Sequence, residues 1–142
     1  MLDLGAGDGA ITRHLTGEGR RVIAFEWHSG RAATLRERFA CDDVKVVVAD
    51  VRDLRLPRRP FRVVANPPFD GVSAVLARLT HHSSRLERAD LLVPKSVAAA
   101  WCDRARRRGW AWTLTTEARV PRAAFTPRPR IDVVHLSIGR LR

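Results

Sequence analysis

At 142 residues with 45% hydrophobic and 29% charged residues, the chain has the size and composition of one globular domain with a sizeable core. No apolar run approaches the ~20 residues that span a bilayer, and MLDLGAGDG at the start is not a basic stretch followed by an apolar one, as a secretory leader would be. Cys41 and Cys102 stand alone, so neither a disulfide framework nor a metal site is expected, and a cytoplasmic setting fits. The formal net charge of +11 points to a polyanionic partner. The excess of Arg over Lys, 24 to 2, matches a GC-rich coding bias, but such a bias leaves the sum of basic residues over the 15 acids unexplained.

In chain order, short β-rich runs alternate with helical ones. Met1–Leu4 reads as a strand leading into Gly5-Ala6-Gly7-Asp8-Gly9, and Ala10–Thr16 as a helix. Arg21–Glu26 is a second strand. Ser29 is placed to N-cap a helix through Phe39, with Ala32, Leu35 and Phe39 on one face. Val44–Val48 and Phe61–Ala65 are strands, Val72–Leu79 a helix and Ala89–Val93 a fifth strand. Ser96–Arg108 is helical, with Val97, Trp101 and Ala105 on one face, a basic last turn suited to the helix dipole, and Gly109 as its stop. Trp110–Val120 and Ile131–Ile138 form a hairpin-like pair around a Pro-rich loop. The pattern predicts an α/β fold, a doubly wound, seven-stranded, mostly parallel and Rossmann-like sheet. In such sheets ligands bind beyond the carboxyl ends of the strands, where Gly5, Glu26, Asp50 and Asn66 all fall.

The glycine loop alone also fits dinucleotide and phosphate sites. Its spacing separates them: the glycines at 5, 7 and 9 give G-x-G-x-G rather than G-x-G-x-x-G, with Asp3 in the strand before them, and no Gly-Lys-Ser/Thr follows. Glu26, at a strand end, is placed to accept hydrogen bonds from two ribose hydroxyls. Asp50, followed by Val51, is placed to accept from an adenine amine, while Asp53 competes for that role or caps the turn before Leu54. Asn66-Pro67-Pro68-Phe69 follows the fourth strand. Two prolines stiffen the loop and hold Asn66 extended, so its side chain and the Pro67 carbonyl can face one pocket. An exocyclic amine on a base is a poor nucleophile, because its lone pair is delocalised. Two acceptors on its N–H bonds orient it and expose that lone pair to a methyl donor, so most of the catalysis is positioning. Phe69 can stack on a base taken out of its helix.

Asp3–Gly9, Glu26, Asp50 and the tetrapeptide resemble the rRNA adenine N6-methyltransferase family, which includes the small-subunit housekeeping enzymes and the erythromycin-resistance enzymes. The segment Val120–Val134, with Phe125-Thr126-Pro127-Arg128-Pro129-Arg130-Ile131, is similar to the family's late F-x-P-x-P-x-V segment. The resemblance covers nearly all of 1–142 and implies a class I methyltransferase catalytic domain using S-adenosylmethionine. It implies cofactor contacts from Asp3, Gly5, Gly7, Gly9, Glu26, Asp50, Val51 and Asn66. It also implies a reacting site of Asn66, Pro67 and Phe69, with Phe125 as a second stacking wall. Pro67, and the segment RRVIAFEWHSGRAATLRERF, resemble the resistance branch. That branch implies a 23S rRNA adenine, naked or in early assembly particles, a monomeric enzyme, and resistance to macrolides, lincosamides and streptogramin B. RNA contacts are expected from Arg58, Arg59, Arg104, Arg106, Arg107, Arg108, Arg128 and Arg130, with no metal and no membrane partner. The chain starts inside the first strand, where the family has a segment that helps close the cofactor pocket. It stops soon after the late Phe segment, where the family continues into a small helical RNA-binding domain. Another amino-methyltransferase, acting on DNA adenine, RNA guanine N2 or a protein glutamine, and a non-catalytic binding remnant remain as alternatives.

Overall fold

A computed structural model describes all residues except 18, 109 and 142, so the expected Gly109 helix stop lies outside the described residues. The strands are β1 (Leu2–Leu4), β2 (Val22–Glu26), β3 (Val44–Val48), β4 (Phe61–Ala65), β5 (Leu86–Pro94), β6 (Trp112–Val120) and β7 (Val133–Arg140). The helices are α1 (Thr12–Leu15), α2 (Ser29–Arg38), α3 (Val72–Leu79) and α4 (Lys95–Arg108). The sheet order is β3-β2-β1-β4-β5-β7-β6, with β7 antiparallel to both of its neighbours. The expected doubly wound, mostly parallel sheet is what forms.

β1 lies between β2 and β4, with Leu4 opposite Phe25 on one side and Ala65 on the other. That register brings the chain exits from β1, β2 and β4 to one edge, which positions the site. One sheet face carries Leu4, Val63, Ala65, Leu91 and Leu136 into the main core, closed by Val75, Leu76 and Leu79 of α3 and Trp101 of α4. On the other face Ala24 meets Ala6, Leu35 and Phe39 in a second, smaller cluster under α2. No described helix is long and apolar enough to cross a membrane.

Four local expectations are corrected. α1 is shorter than the Ala10–Thr16 reading, because the chain makes turns through Gly9, whose φ is +81°, before a helix can begin. α2 is capped by His28, whose Nδ1 accepts from the Arg31 N–H at 3.4 Å, so Ser29 is already helical. β5 is longer than Ala89–Val93, since it pairs with β4 on one side and with β7 from Arg88 to Pro94 on the other. Its Glu87 and Arg88, which break the apolar pattern, pair with Arg62 and Asp90 instead of entering the core. The last two strands begin two residues later than expected, and β6 slips register between Thr116 and Ala118.

Candidate active site

The glycine loop is fastened from three directions. The N–H groups of Gly5 and Ala6 both donate to the Phe25 carbonyl at 2.9 Å. Glu26, only 2% exposed at the end of β2, accepts from the Gly7 N–H through Oε2 and from the His28 N–H through Oε1, each at 2.9 Å. Beneath the loop, Asp3 is fully buried and its Oδ2 accepts from the Thr12 hydroxyl at 2.6 Å, while Oδ1 has no partner among the described residues. Burial pushes the Asp3 carboxyl up to about 6, against the lowering effect of the hydrogen bonds from Thr12.

Gly5, at φ +78°, is where the loop touches the tetrapeptide. A Cβ on it would sit 3.3 Å from Pro68 Cδ and 3.5 Å from the Asn66 carbonyl oxygen. A side chain there would be strained by the left-handed φ and would press Pro68 back by a few tenths of an ångström, so glycine suits this close approach of β1 and β4.

Two adjoining cavities open at this edge. One, of about 320 Å³, is lined by Asp50, Val51 and Gly71. The other, of about 400 Å³, is lined by Gly7, Glu26, Asn66, Pro67, Phe69 and Pro127. Gly5, Trp27 and Pro68 are walls of both, so the two form one cleft. Gly5, Gly7, Glu26, Asp50, Val51, Asn66, Pro67 and Phe69 are thereby brought together, as their strand-end positions predict.

Asp3, Gly9 and Phe125 line neither cavity. Asp3 lies under the loop. Gly9 faces α2, where a Cβ would come within 2.7 Å of Phe39 and 2.9 Å of Leu35. The late loop reaches the cleft through Pro127, two residues beyond the half-buried Phe125. Asp50 caps the short 3₁₀ turn Val51–Asp53 by accepting from the Arg52 N–H at 2.8 Å, so the cap expected of Asp53 belongs to Asp50. Both Asp50 oxygens also lie 3.0 Å from Arg52 Nε, and this pairing holds the carboxyl down at about 2.

Trp27, Arg31, Arg52, Asp70 and Pro127 also line the cleft and are absent from the residues expected above. Trp27 carried a usable signal: it directly follows the strand-end acid Glu26, yet it is a large aromatic left 61% exposed.

The expected arginines do not form one surface. Arg128 and Arg130 lie in the loop from 121 to 132, at the cleft edge of the sheet. Arg58 and Arg59 precede β4, and Arg104–Arg108 end α4, which starts at the cleft edge and runs away from it, so both groups lie at the opposite edge. Asp132 pins the cleft-side loop. It accepts from Arg119 at 3.0 Å and from Arg122 at 2.9 Å, which lowers its pKa. The Asp132 carbonyl also accepts from the Lys95 N–H at 2.9 Å.

This cleft could hold a nucleoside-bearing cofactor. A Cβ at Gly7 would meet nothing within 4 Å, so the loop backbone borders open space. Glu26 and Asp50 supply acceptors at the two ends for hydroxyls and an amine. The strand order is that of the Rossmann-like fold shared by class I methyltransferases. Residues 1–140 match the family described as ribosomal RNA adenine dimethylase, and the chain belongs to it.

Among its relatives, the rRNA adenine N-6-methyltransferase of Corynebacterium diphtheriae is 30% identical over 99% of this chain and 58% of its own length. The mycinamicin-resistance protein MyrB of Micromonospora griseorubida is 33% identical over 99% of this chain and 46% of its own. The chain thus spans about half the length of these curated relatives. The crystal structure of the 23S rRNA methyltransferase ErmE superposes with a TM-score of 0.81 at 24% identity, over 99% of this chain and 60% of that one, a likeness of fold.

Proposed function

We propose that this chain is the catalytic domain of an S-adenosylmethionine-dependent methyltransferase acting on N6 of an adenine in rRNA, with 23S rRNA the favoured substrate and macrolide, lincosamide and streptogramin B resistance the consequence. The observation that carries the reading is the packing of Asn66-Pro67-Pro68-Phe69 against the Gly5 loop at one cleft. S-adenosylmethionine, when bound, supplies an electrophilic methyl on a sulfonium.

The rest is the work of this chain's residues. Glu26 holds the loop open through Gly7 and keeps lone pairs for ribose hydroxyls. Val51 and Trp27 border the lobe next to Asp50, where a planar adenine fits, and the Asp50 carboxylate, ionised throughout the physiological range, accepts from its amine. In the other lobe the Asn66 side chain and the Pro67 carbonyl accept from the two N–H bonds of the target amine, and Phe69 stacks on its base. No strong base is needed, because the nitrogen becomes acidic only after it is alkylated. Arg128 and Arg130, on the pinned loop, are placed for phosphates beside the cleft. Phe125 would join the stack if that loop closes over a base. The function implies a cytoplasmic protein that works as a monomer on naked rRNA or early assembly particles.

The test is methyl transfer from tritiated cofactor to naked 23S rRNA, 16S rRNA, duplex DNA and ribosomal proteins. Label confined to adenine N6 of 23S rRNA is expected. Asn66→Ala should abolish transfer while cofactor binding stays measurable by calorimetry. Transfer by that variant at the wild-type rate would refute the positioning mechanism.

A further inference from the structure

The edge of the sheet opposite the cleft carries a second cavity, of about 370 Å³, within the range of small-ligand sites. Three of the four tryptophans of the chain meet there, because α4 ends, and β6 begins, at the same edge. Trp101 and Trp112 are buried and form its floor, while Trp110 is half-exposed, with its ring 5.8 Å from that of Trp101. The exposed Arg104 guanidinium lies 5.5 Å from the Trp101 ring centre and 5.7 Å from that of Trp110. Arg140 lies 5.0 Å from the Trp112 ring centre. On the far wall the exposed rings of His81 and His82 pack 4.1 Å apart. A neighbouring groove that shares Ala77 and His81 carries Arg55, Arg58 and Arg78. Of the acids near this end, Asp103 is already engaged by Arg107 at 2.9 Å.

Flat aromatic and guanidinium surfaces beside arginines that form no ion pair among the described residues are the chemistry that holds an unpaired base and its phosphates. A buried apolar pocket alone would not call for the cations, and a phosphate patch alone would not call for the rings.

We propose that this cavity binds an unpaired nucleotide of an RNA strand, with the base against Trp110, Arg104 and His82 and the flanking phosphates on Arg58 and its neighbours. The proposal rests on RNA being the partner. It adds a second grip, separated from the reacting cleft by the length of β5, about 30 Å at ~3.3 Å per residue over nine residues. Two grips at opposite edges require the RNA to pass along one flank of the domain. The site therefore selects RNAs in which an unpaired segment lies at that distance from the target adenine.

The test is fluorescence anisotropy with labelled pentauridine, which offers the adenine cleft no target base, against a blunt RNA duplex of similar charge. Arg104→Lys keeps the charge and loses the plane. It should weaken pentauridine binding by roughly tenfold, the effect of losing one stacked base. The slope of affinity against salt and the binding of the duplex should stay as in wild type. His82→Ala, at an exposed position, should also weaken pentauridine binding, and Asn66→Ala should not. Wild-type pentauridine affinity in Arg104→Lys, or equal losses for single strand and duplex, would overturn the proposal. If pentauridine binding responds as stated while no RNA is methylated, the proposed function fails and this site stands. If RNA is methylated and Arg104→Lys binds pentauridine normally, the reverse holds.

Discussion

Replacing Gly9 by Ala tests whether the third loop glycine serves packing rather than the ligand. At φ +81°, a Cβ costs about 1–2 kcal/mol in backbone strain. That Cβ would lie 2.7 Å from Phe39 Cε2 and 2.9 Å from Leu35 Cδ2. Both side chains are buried under α2, 6% and 1% exposed, so neither can swing aside, and overpacking of this kind costs about 1–3 kcal/mol. The lost freedom of the unfolded chain returns about 0.4–1 kcal/mol. The net destabilisation is about 1–4.5 kcal/mol, and at roughly 3–4 °C per kcal/mol for a chain of this size the midpoint should fall by about 3–18 °C, with the middle of the range near 10 °C. Gly7→Ala is the control. At φ +55° it carries the same left-handed strain of about 1–2 kcal/mol, but its Cβ meets nothing within 4 Å, so the overpacking cost is missing. After the gain of about 0.4–1 kcal/mol from the unfolded chain it should melt no more than about 6 °C below wild type, and above Gly9→Ala, while binding cofactor more weakly, because that Cβ enters the cleft. Thermal unfolding by circular dichroism and calorimetry with S-adenosylhomocysteine read the two effects. Equal melting of wild type and Gly9→Ala would refute the assignment of Gly9 to the α2 contact.

Asp3 gives a pH test with a definite sign. Its carboxyl is raised from 3.8 to about 6 by burial, so the folded chain holds that proton more tightly than the unfolded one. The group therefore favours the fold most at low pH, loses that contribution as pH rises from about 4 to about 6, and above that leaves the fold bearing a cost of about 3 kcal/mol. Asp50, Asp90 and Asp132 are shifted downward and act oppositely, losing their contribution as pH falls below the ordinary carboxylate range. Asp3→Asn should flatten the pH dependence between 4 and 6 in urea unfolding, and an unchanged wild-type slope would sink the argument. Trp27→Ala removes an exposed wall common to both lobes, so stability should change by less than about 0.5 kcal/mol. Cofactor affinity should fall by about two- to tenfold, the worth of one aromatic contact, and calorimetry showing no fall would take Trp27 out of the site.

Much of this could be read from sequence, because the signals are local. β-branched runs such as Val44–Val48 mark strands wherever they pack, glycines at 5, 7 and 9 mark a loop with left-handed turns, and two prolines after Asn66 stiffen that loop in any context. Parallel strands then carry Gly5, Glu26, Asp50 and Asn66 to one edge, so the cleft followed from order alone. What depended on direction and register over long separations was decided only by the tertiary structure. Asp3 faces α1 rather than the cleft because alternate residues of β1 face opposite sides of the sheet. Pro127, not Phe125, reaches the cleft, because that depends on the path of the loop between β6 and β7 and not on the local F-x-P spacing. The arginines, alike in sequence, divide between two ends of the domain because nine residues of α4 run away from the site before the first of its arginines, Arg104, appears. Composition fixes their charge, but only the fold fixes which of them share a surface.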